Sequence, residues 1–408
     1  MNRKLQNVLL VSQYFDPENF KGNDIAYELQ KRGYRVDVLT GIPNYPQGRY
    51  LEGYGVFKKR REIINGVHVY RAFQFPRGNS TKVLMALNYF SFPFFASLYI
   101  LFFLAWRRYD VVFVQQLSPI FQAFPAILLK KIKKTPLYMW VLDIWPDALR
   151  SAAGIKNDKI LNSVDKFVQF TYKNCDKILI SSQRFAKLVN SKNDYSKKMV
   201  YYPNWSDDIL GMDDSYEIPQ LPEGFKIMIA GNLGKSQNLD AVADVMLGLK
   251  DIPEVKWVFV GGGSRKEWLE EFIKENGLED SAMCLGQYPF EAMPAFFKQA
   301  DAMLVTLRAG FPHLEAVVPA RLQSYMSAGR PVLAMIGCGG ADIIEKSHCG
   351  YAVPAGDSKA LIEVIKEKVL ANREAFEKMG KNGREFYMKH FRLKDCIDNL
   401  EQIIGVDK

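Results

Sequence analysis

The sequence predicts an α/β protein made of two doubly wound, parallel-sheet domains. Three observations predict it. The chain is 408 residues long, enough for two or three domains with separate cores. Short β-rich runs alternate with helical ones through both halves, and most are near-continuous apolar runs, as parallel strands covered on both faces require. Between the two series lies Pro203 to Phe225, PNWSDDILGMDDSYEIPQLPEGF, which is rich in proline, acids and turn formers and reads as an interdomain linker.

In the first half, Val8–Ser12, Val36–Thr40, Val67–Tyr70, Val111–Val114, Tyr138–Leu142 and Ile178–Ser181 read as strands. Helical segments such as Ile25–Arg32 link them into βαβ units. The apolar run Val8–Val11 is too short for a signal peptide and is expected to be the first strand. The loop YFDPENFKGND follows it, with Gly22, Asn23 and Asp24 at the expected helix start. It has no G-x-G-x-x-G, which argues against a dinucleotide cofactor. Gly22 lets a ligand approach the backbone, while Asn23 or Asp24 could simply cap the helix. The next loop, GIPNYPQG with Asn44 near its centre, is longer than a plain connection needs. Loops at the C-terminal ends of parallel strands line ligand crevices. Asp143 lies just past its strand, in DIWPDALRSAAG, where either chemistry or a turn residue belongs.

Val83–Trp106 carries no charge and is flanked by Arg77, Lys82, Arg107 and Arg108. It is long enough to cross a bilayer. Asn88, Ser91, Pro93 and Ser97 interrupt it, and strands of one sheet flank it on both sides. A buried or interfacial helix is therefore preferred to a span. Tyr89, Phe90, Phe92, Phe94 and Phe95 between basic flanks suit an interfacial helix.

The second half repeats the pattern with strands Ile227–Ala230, Trp257–Val260, Ala302–Thr306 and Val332–Met335, then a closing helix over Glu385–Ile404. Its first strand runs into GNLGKSQNLD, where Gly231 and Gly234 open backbone space and Lys235 supplies charge. Gly261, Gly262 and Gly263 follow the next strand. In EAVVPARLQSYMSAGRPVLA, Pro319 suits a helix start, and Leu322, Tyr325 and Met326 give one apolar face. Gly329 stops the helix and Pro331 prevents its resumption. The free N–H groups at that start, beside the Arg321 guanidinium, form an anion site.

Composition narrows the function. Hydrophobic content of 48% and charge of 24% are globular values. The five cysteines are scattered without C-x-x-C spacing and read as free thiols of a reducing compartment. No Asp-x-Asp occurs, and His68, His313, His348 and His390 show no metal-ligand spacing, so no metal is expected. Residues 1–200 hold 31 Lys and Arg against 14 Asp and Glu, a balance of +17, whereas residues 201–408 hold 23 against 31, a balance of −8. The first half should face something anionic. Without zinc-finger spacing or an RNA-binding aromatic signature, an anionic membrane surface is preferred to nucleic acid.

Taken together, the Gly22 loop, GIPNYPQG, LDIWPDAL, YYPNW, GNLGKSQNLD, VGGGS, LGQYPFEAMPAFFKQADAMLVTL and PARLQSYMSAGRPV resemble a GT-B glycosyltransferase of family 4. The resemblance covers nearly the whole chain. It is closest to the branch that builds O-antigen, capsule and colanic-acid units, including N-acetyl-fucosamine transferases. It implies two Rossmann-like domains facing a central cleft, with a C-terminal helix closing back on the N-terminal domain. Residues 1–202 would bind the acceptor, 203–225 would be the linker, 226–384 would bind the nucleotide sugar, and 385–408 would form the closing helix.

The chain departs from the family pattern at several positions. Many members carry two glutamates separated by seven residues; Ala316 and Ser324 stand there, with Glu315 one residue off register. Asn232 and Gln237 replace an Arg and a Lys in the first loop of the second domain, with Lys235 between them, and Leu142 replaces a histidine. The implied donor site is Gly231, Asn232, Lys235, Gln237, Gly263, Arg321 and Ser324, with Lys235 and Arg321 supplying charge for a diphosphate. The implied acceptor site is Gly22, Asn23, Asp24 and Asn44. Asp143, Glu315 and Arg321 are the catalytic candidates. The expected activity moves a sugar, with retention, from a nucleotide sugar such as a UDP-sugar to a polyprenyl-diphosphate-linked saccharide. No cofactor or metal would be needed, and the protein would sit at the inner face of the plasma membrane. A nucleotide-sugar 2-epimerase and an inactive subunit of a polysaccharide assembly are the alternatives.

Overall fold

A computed structural model describes residues 7–155 and 157–405. It divides into two compact units. One runs from the first strand to Ser181, with Phe185–Tyr202 and the chain from Ile397 onward; the other holds Ser182–Arg184 and Pro203–Cys396.

The first unit carries eight strands: β1 Asn7–Val11, β2 Arg35–Gly41, β3 Arg61–Ile64, β4 Val67–Ala72, β5 Val111–Gln116, β6 Leu137–Val141, β7 Lys177–Ile180 and β8 Met199–Tyr201. Their order is β3-β4-β2-β1-β5-β6-β7-β8. All pairs are parallel except β3 with β4, a hairpin turned at Asn65 and Gly66, both at positive φ. The expected strands are present within a residue or two. Two more, β3 and β8, escaped the sequence reading. β3 is Arg-Glu-Ile-Ile on an exposed edge, and β8 has only three residues. Chain direction along the sheet reverses between β1 and β5, and ligands bind outside such a switch point.

The second unit holds β9 Phe225–Ala230, β10 Val255–Val260, β11 Ala282–Gly286, β12 Ala302–Thr306, β13 Val332–Met335 and β14 Gly350–Val353. They form one parallel sheet in the order β11-β10-β9-β12-β13-β14, with its switch point between β9 and β12. Both faces are covered, so Ile227, Met228, Leu304 and Leu333 are fully buried. β11 and β14 lie at the sheet edges and are mostly half-buried; their apolar runs, Ala-Met-Cys-Leu and Tyr-Ala-Val, are each bounded by a glycine at one end.

Residues 203–225 are grouped with the second unit. Tyr387 donates to the Ser206 carbonyl at 3.0 Å, and Arg384 grips Asp208 through two nitrogens at 2.5 and 2.9 Å. The single closing helix expected over 385–408 is instead two, Arg373–His390 and Leu393–Gly405. The break is at Phe391, whose ring is buried while its backbone leaves the helical region. The last helix does close back onto the first unit. Arg32 donates to Asp398 and Glu401 at 2.5 Å each, and Lys177 donates to the Ile403 carbonyl.

The uncharged stretch folds as a helix, Lys82–Tyr99, continued by a π-helical turn, Ile100–Leu104. By length and composition it could cross a membrane, and 44% of an 18-residue apolar stretch within it is buried in the protein. Its polar interruptions mark the face that docks on the sheet. Asn88 donates to the Phe75 carbonyl at 2.6 Å and accepts from Gln13, and Ser91 accepts from the Phe75 N–H. The aromatic residues divide between the faces. Phe92 is fully buried and Phe95 half-buried, whereas Phe90 and Phe94 are 58% and 60% exposed. Val83, Leu87, Phe90, Phe94, Leu98 and Leu101 recur at three- and four-residue spacing and form one exposed apolar stripe.

Candidate donor and acceptor sites

In the second unit the helix Ala320–Ser327 starts at Pro319, with no side chain capping its first N–H groups. Tyr325, on its buried face, accepts from the Ala230 N–H at 3.0 Å and donates to the Ala230 carbonyl at 3.1 Å. That double bond of one hydroxyl ties the end of β9 to the helix, so the loop after β9 lies over the helix start. Burial pushes the Tyr325 hydroxyl pKa upward, keeping it a neutral donor and acceptor. Arg321 donates through one nitrogen to the Asn232 carbonyl at 3.1 Å. Its other terminal nitrogen, Nη1, is buried with no hydrogen bond among the described residues, and the guanidinium lies beside the Tyr325 hydroxyl. A buried guanidinium arm without a partner is costly unless an anion meets it.

The surrounding surface is backbone. Gly231, Gly261 and Gly263 have φ of +114°, +148° and +152°. A Cβ on Gly261 would lie 1.9 Å from the Gly231 carbonyl oxygen, and one on Gly263 would lie 2.5 Å from that of Leu233. Only glycine allows both the dihedrals and the approach. The structure thus gathers four expected donor residues, Gly231, Asn232, Gly263 and Arg321. Lys235, on the same loop, is exposed at the start of a short 3-10 turn.

The remaining donor candidates are otherwise engaged. Gln237 is buried: its backbone carbonyl accepts from the Thr306 hydroxyl at the end of β12, its Nε2 donates to the Ser236 hydroxyl at 3.2 Å, and its Oε1 has no hydrogen bond among the described residues. Ser324 hydroxyl pairs with that of Ser206 at 2.8 Å, holding the 203–206 segment. Glu315 is exposed, accepts from the Gly310 N–H at 3.2 Å, and lines a cavity of about 510 Å³ with Ile336, Gly337, Cys338 and Pro354. Among the described residues no three His, Cys, Asp or Glu side chains converge as metal ligands.

In the first unit the crevice at the β1–β5 switch point is built of side chains. Gly22 lies inside the first turn of the helix Lys21–Lys31, and a Cβ there would be 2.3 Å from the Gln115 Oε1. Neither Asn23 nor Asp24 caps that helix; Phe20 is the N-cap residue. Asn23 braces the preceding loop, accepting from the Asp16 N–H and donating to the Glu18 carbonyl. Asp24 pairs with Lys21 at 3.4 Å. Asn44 is fully buried, donates to the Ile42 carbonyl and accepts from the Arg77 N–H, so its side chain holds the loop together. Asp143 accepts from the Ser118 hydroxyl at 2.7 Å, and that hydroxyl accepts from the Trp145 indole at 3.0 Å.

Two residues at this crevice were not singled out from sequence. Glu18 is buried and accepts from the Asn44 and Tyr45 N–H groups at 2.8 and 2.7 Å. Burial pushes its carboxyl up to about 7 against the opposing pull of those two donors. Arg77 lies among the rings of Tyr14, Tyr45 and Tyr89, with its guanidinium carbon 5.0, 5.1 and 5.9 Å from their centres, and donates to the Tyr14 hydroxyl. The signal was present as an arginine at the edge of an aromatic-rich stretch, but its register against Tyr14 is a long-range matter.

The chain is similar to known glycosyltransferases and to solved structures of the same fold. A protein of Escherichia coli (strain K12) carrying the name colanic acid biosynthesis glycosyl transferase WcaI is 26% identical over 318 residues, covering 74% of this chain and 75% of its own. Amylovoran biosynthesis glycosyltransferase AmsK of Erwinia amylovora is 28% identical over 111 residues, 27% of each chain. Among solved structures, sucrose-phosphate synthase of Thermosynechococcus elongatus superposes with a TM-score of 0.75 at 16% identity, covering 98% of both chains. Anabaena HepE, solved in complex with UDP-glucose, gives 0.68 at 15% identity, covering 98% of this chain and 99% of its own. The chain has the GT-B fold, and its residues 215–386, which carry the Arg321 site, match the family described as Glycosyl transferases group 1.

Proposed function

We propose that the protein is a metal-independent glycosyltransferase of bacterial surface polysaccharide synthesis. It moves a sugar from a UDP-sugar, with retention, to a polyprenyl-diphosphate-linked saccharide at the cytoplasmic face of the plasma membrane. The observation that carries the reading is Arg321. One arm is bonded to the Asn232 carbonyl and the other is buried without a hydrogen bond among the described residues, beside an uncapped helix start and glycine loops that let a ligand reach the backbone. A nucleoside diphosphate gains negative charge as the glycosidic bond breaks, and fixed donors placed there stabilise that charge. The match of residues 215–386 to group 1 glycosyl transferases and the relatives named for colanic acid and amylovoran biosynthesis support the class of reaction.

A thermal-shift series with UDP, GDP, ADP and their sugars tests the donor, because a ligand that binds only the native state raises its apparent stability. UDP and a UDP-sugar are expected to raise Tm, and transfer is expected to persist in EDTA. No shift with any nucleotide would end the reading. Vesicle binding tests the location. Binding should require anionic lipid, weaken in salt, and be lost in a Phe90→Ser, Phe94→Ser double variant that still melts normally, since both rings are exposed. Phe92→Ser belongs to a different experiment, because that ring is core.

One observation favours a second reading, a non-catalytic subunit. The position where many family members carry a glutamate is Ser324, and its hydroxyl is committed to Ser206. A chain that binds UDP-sugar and membrane yet transfers nothing to any lipid-linked saccharide would support it.

A further inference from the structure

A groove of about 950 Å³ opens on the first unit between the long apolar helix and the segments carrying Phe121, Phe124 and Phe167. Phe75, Phe90, Phe94 and Phe124 line it with substantial exposure, and Ser91, its neutral polar lining residue, already bonds to the Phe75 N–H. An exposed apolar concavity of this size is a binding feature rather than ordinary surface. The walls offer carbon almost exclusively. A peptide segment laid there would leave its N–H and C=O groups unpaired, whereas a hydrocarbon carries no such groups.

Ring contacts link the groove wall to the neighbourhood of Arg77. Phe90 stacks on Phe121 at 4.9 Å, Phe121 meets Trp145 at 5.8 Å, Trp145 meets Tyr89 at 6.3 Å, and the Arg77 guanidinium lies 5.9 Å from the Tyr89 ring. A chain of packed rings, buried at Trp145, therefore connects the hydrocarbon-lined trough to a guanidinium. Lys82 supplies a second cation on the groove rim, and residues 1–200 carry a balance of +17. The groove also opens along the exposed stripe Leu87, Phe90 and Phe94, so a long chain held in it has a path outward.

From this geometry we infer that the groove holds the proximal isoprene units of a polyprenyl diphosphate, with the diphosphate directed to the Arg77 end. The inference rests on the proposed lipid-linked acceptor and adds where its tail lies. Polar rim cations and a carbon-lined trough match the two chemistries of that one molecule, whereas a second copy of the chain would need only the apolar part.

Ala86 lines the groove, is exposed, and belongs to no part of the core, so Ala86→Trp fills the trough without removing a packed side chain. Farnesyl diphosphate, a straight-chain alkyl diphosphate and inorganic diphosphate are titrated into the full chain, wild type and variant, by calorimetry. The expected result is that farnesyl diphosphate binds the wild type at least tenfold more tightly than inorganic diphosphate. Ala86→Trp should erase that advantage while its melting temperature and its binding of inorganic diphosphate stay unchanged. Phe121→Ala should weaken farnesyl diphosphate in the same direction. Equal affinity of farnesyl diphosphate for wild type and Ala86→Trp would overturn the inference. So would equal use of the groove by the straight-chain diphosphate, or a solution dimer that Ala86→Trp dissociates. The proposed transferase activity fails separately: a chain that binds farnesyl diphosphate in the groove but no nucleotide sugar would keep the groove and lose the activity.

Discussion

The two sheets present their switch points in opposite ways. Outside β1 and β5 the wall is made of side chains. Gln13, Gln74, Asn88, Gln115 and Gln122 are all fully buried, and Gln13 bonds to Gln74, Asn88 and Gln122 at 2.8 to 3.0 Å. Outside β9 and β12 the wall is backbone. Gly231 N–H donates to the Val260 carbonyl, Leu233 N–H to the Gly262 carbonyl, and Gly261 N–H to the Gly286 carbonyl, each at 2.7 to 2.8 Å. A side-chain wall takes its shape from residues far apart in sequence and can adjust at its tips. A backbone wall is locked by its own hydrogen bonds, lets a ligand approach closely, and has no tolerance for an added carbon.

The largest expected effect breaks the backbone wall. Gly261→Ala places a Cβ 1.9 Å from the Gly231 carbonyl oxygen at a φ of +148°. Strain and overpacking together should cost about 4 kcal/mol of stability, read as a lower denaturant midpoint and lost UDP binding. A near-wild-type midpoint would mean that the glycine loops yield to an added carbon.

Glu18 sharpens the side-chain wall next. Its carboxyl is raised from 4.5 to about 7 in the folded state, chiefly by burial. The folded protein therefore holds that proton more tightly than the unfolded chain. The stability this gives is fully present below pH 4.5 and is lost as pH rises through 7. The shift corresponds to something on the order of 3 kcal/mol. Glu18→Gln, which keeps an oxygen for the Asn44 and Tyr45 N–H groups, should flatten the fall in stability between those pH values. An unchanged pH profile would show that Glu18 is charged in the fold.

Arg321→Ala tests the anion site itself. It should lower turnover and UDP affinity by about tenfold or more, with Tm little changed because the lost bond is a single contact to the Asn232 carbonyl. Gly22→Ala is the smallest change. Its Cβ meets the movable tip of Gln115, at an ordinary helical φ, so stability should shift by less than about 1 kcal/mol. A loss as large as that of Gly261→Ala would erase the distinction between the two walls.

Much of this molecule was determined by the sequence alone. Buried parallel strands are read from their apolar runs, so the central strands of both sheets are recognisable within a residue or two; the edge strands are not, because β3 is half charged and β8, β11 and β14 offer only three or four apolar residues on a half-buried edge. Gly231, Gly263, Pro319 and Arg321 are legible for a related reason. Backbone approach, positive φ and a helix start are local demands, met by residue types that mark themselves. What the tertiary structure decided is which polar side chains meet. Asn44 and Gln237 turn inward, Ser324 goes to Ser206, and Arg77 finds Tyr14 across 63 residues of chain. The aromatic helix shows the same division. Its length and apolarity are in the sequence, but Phe92 faces the core and Phe90 and Phe94 face outward because Asn88 and Ser91 must bond to the loop at Phe75. Pairings of that kind depend on distance in space, and a linear pattern carries no record of it.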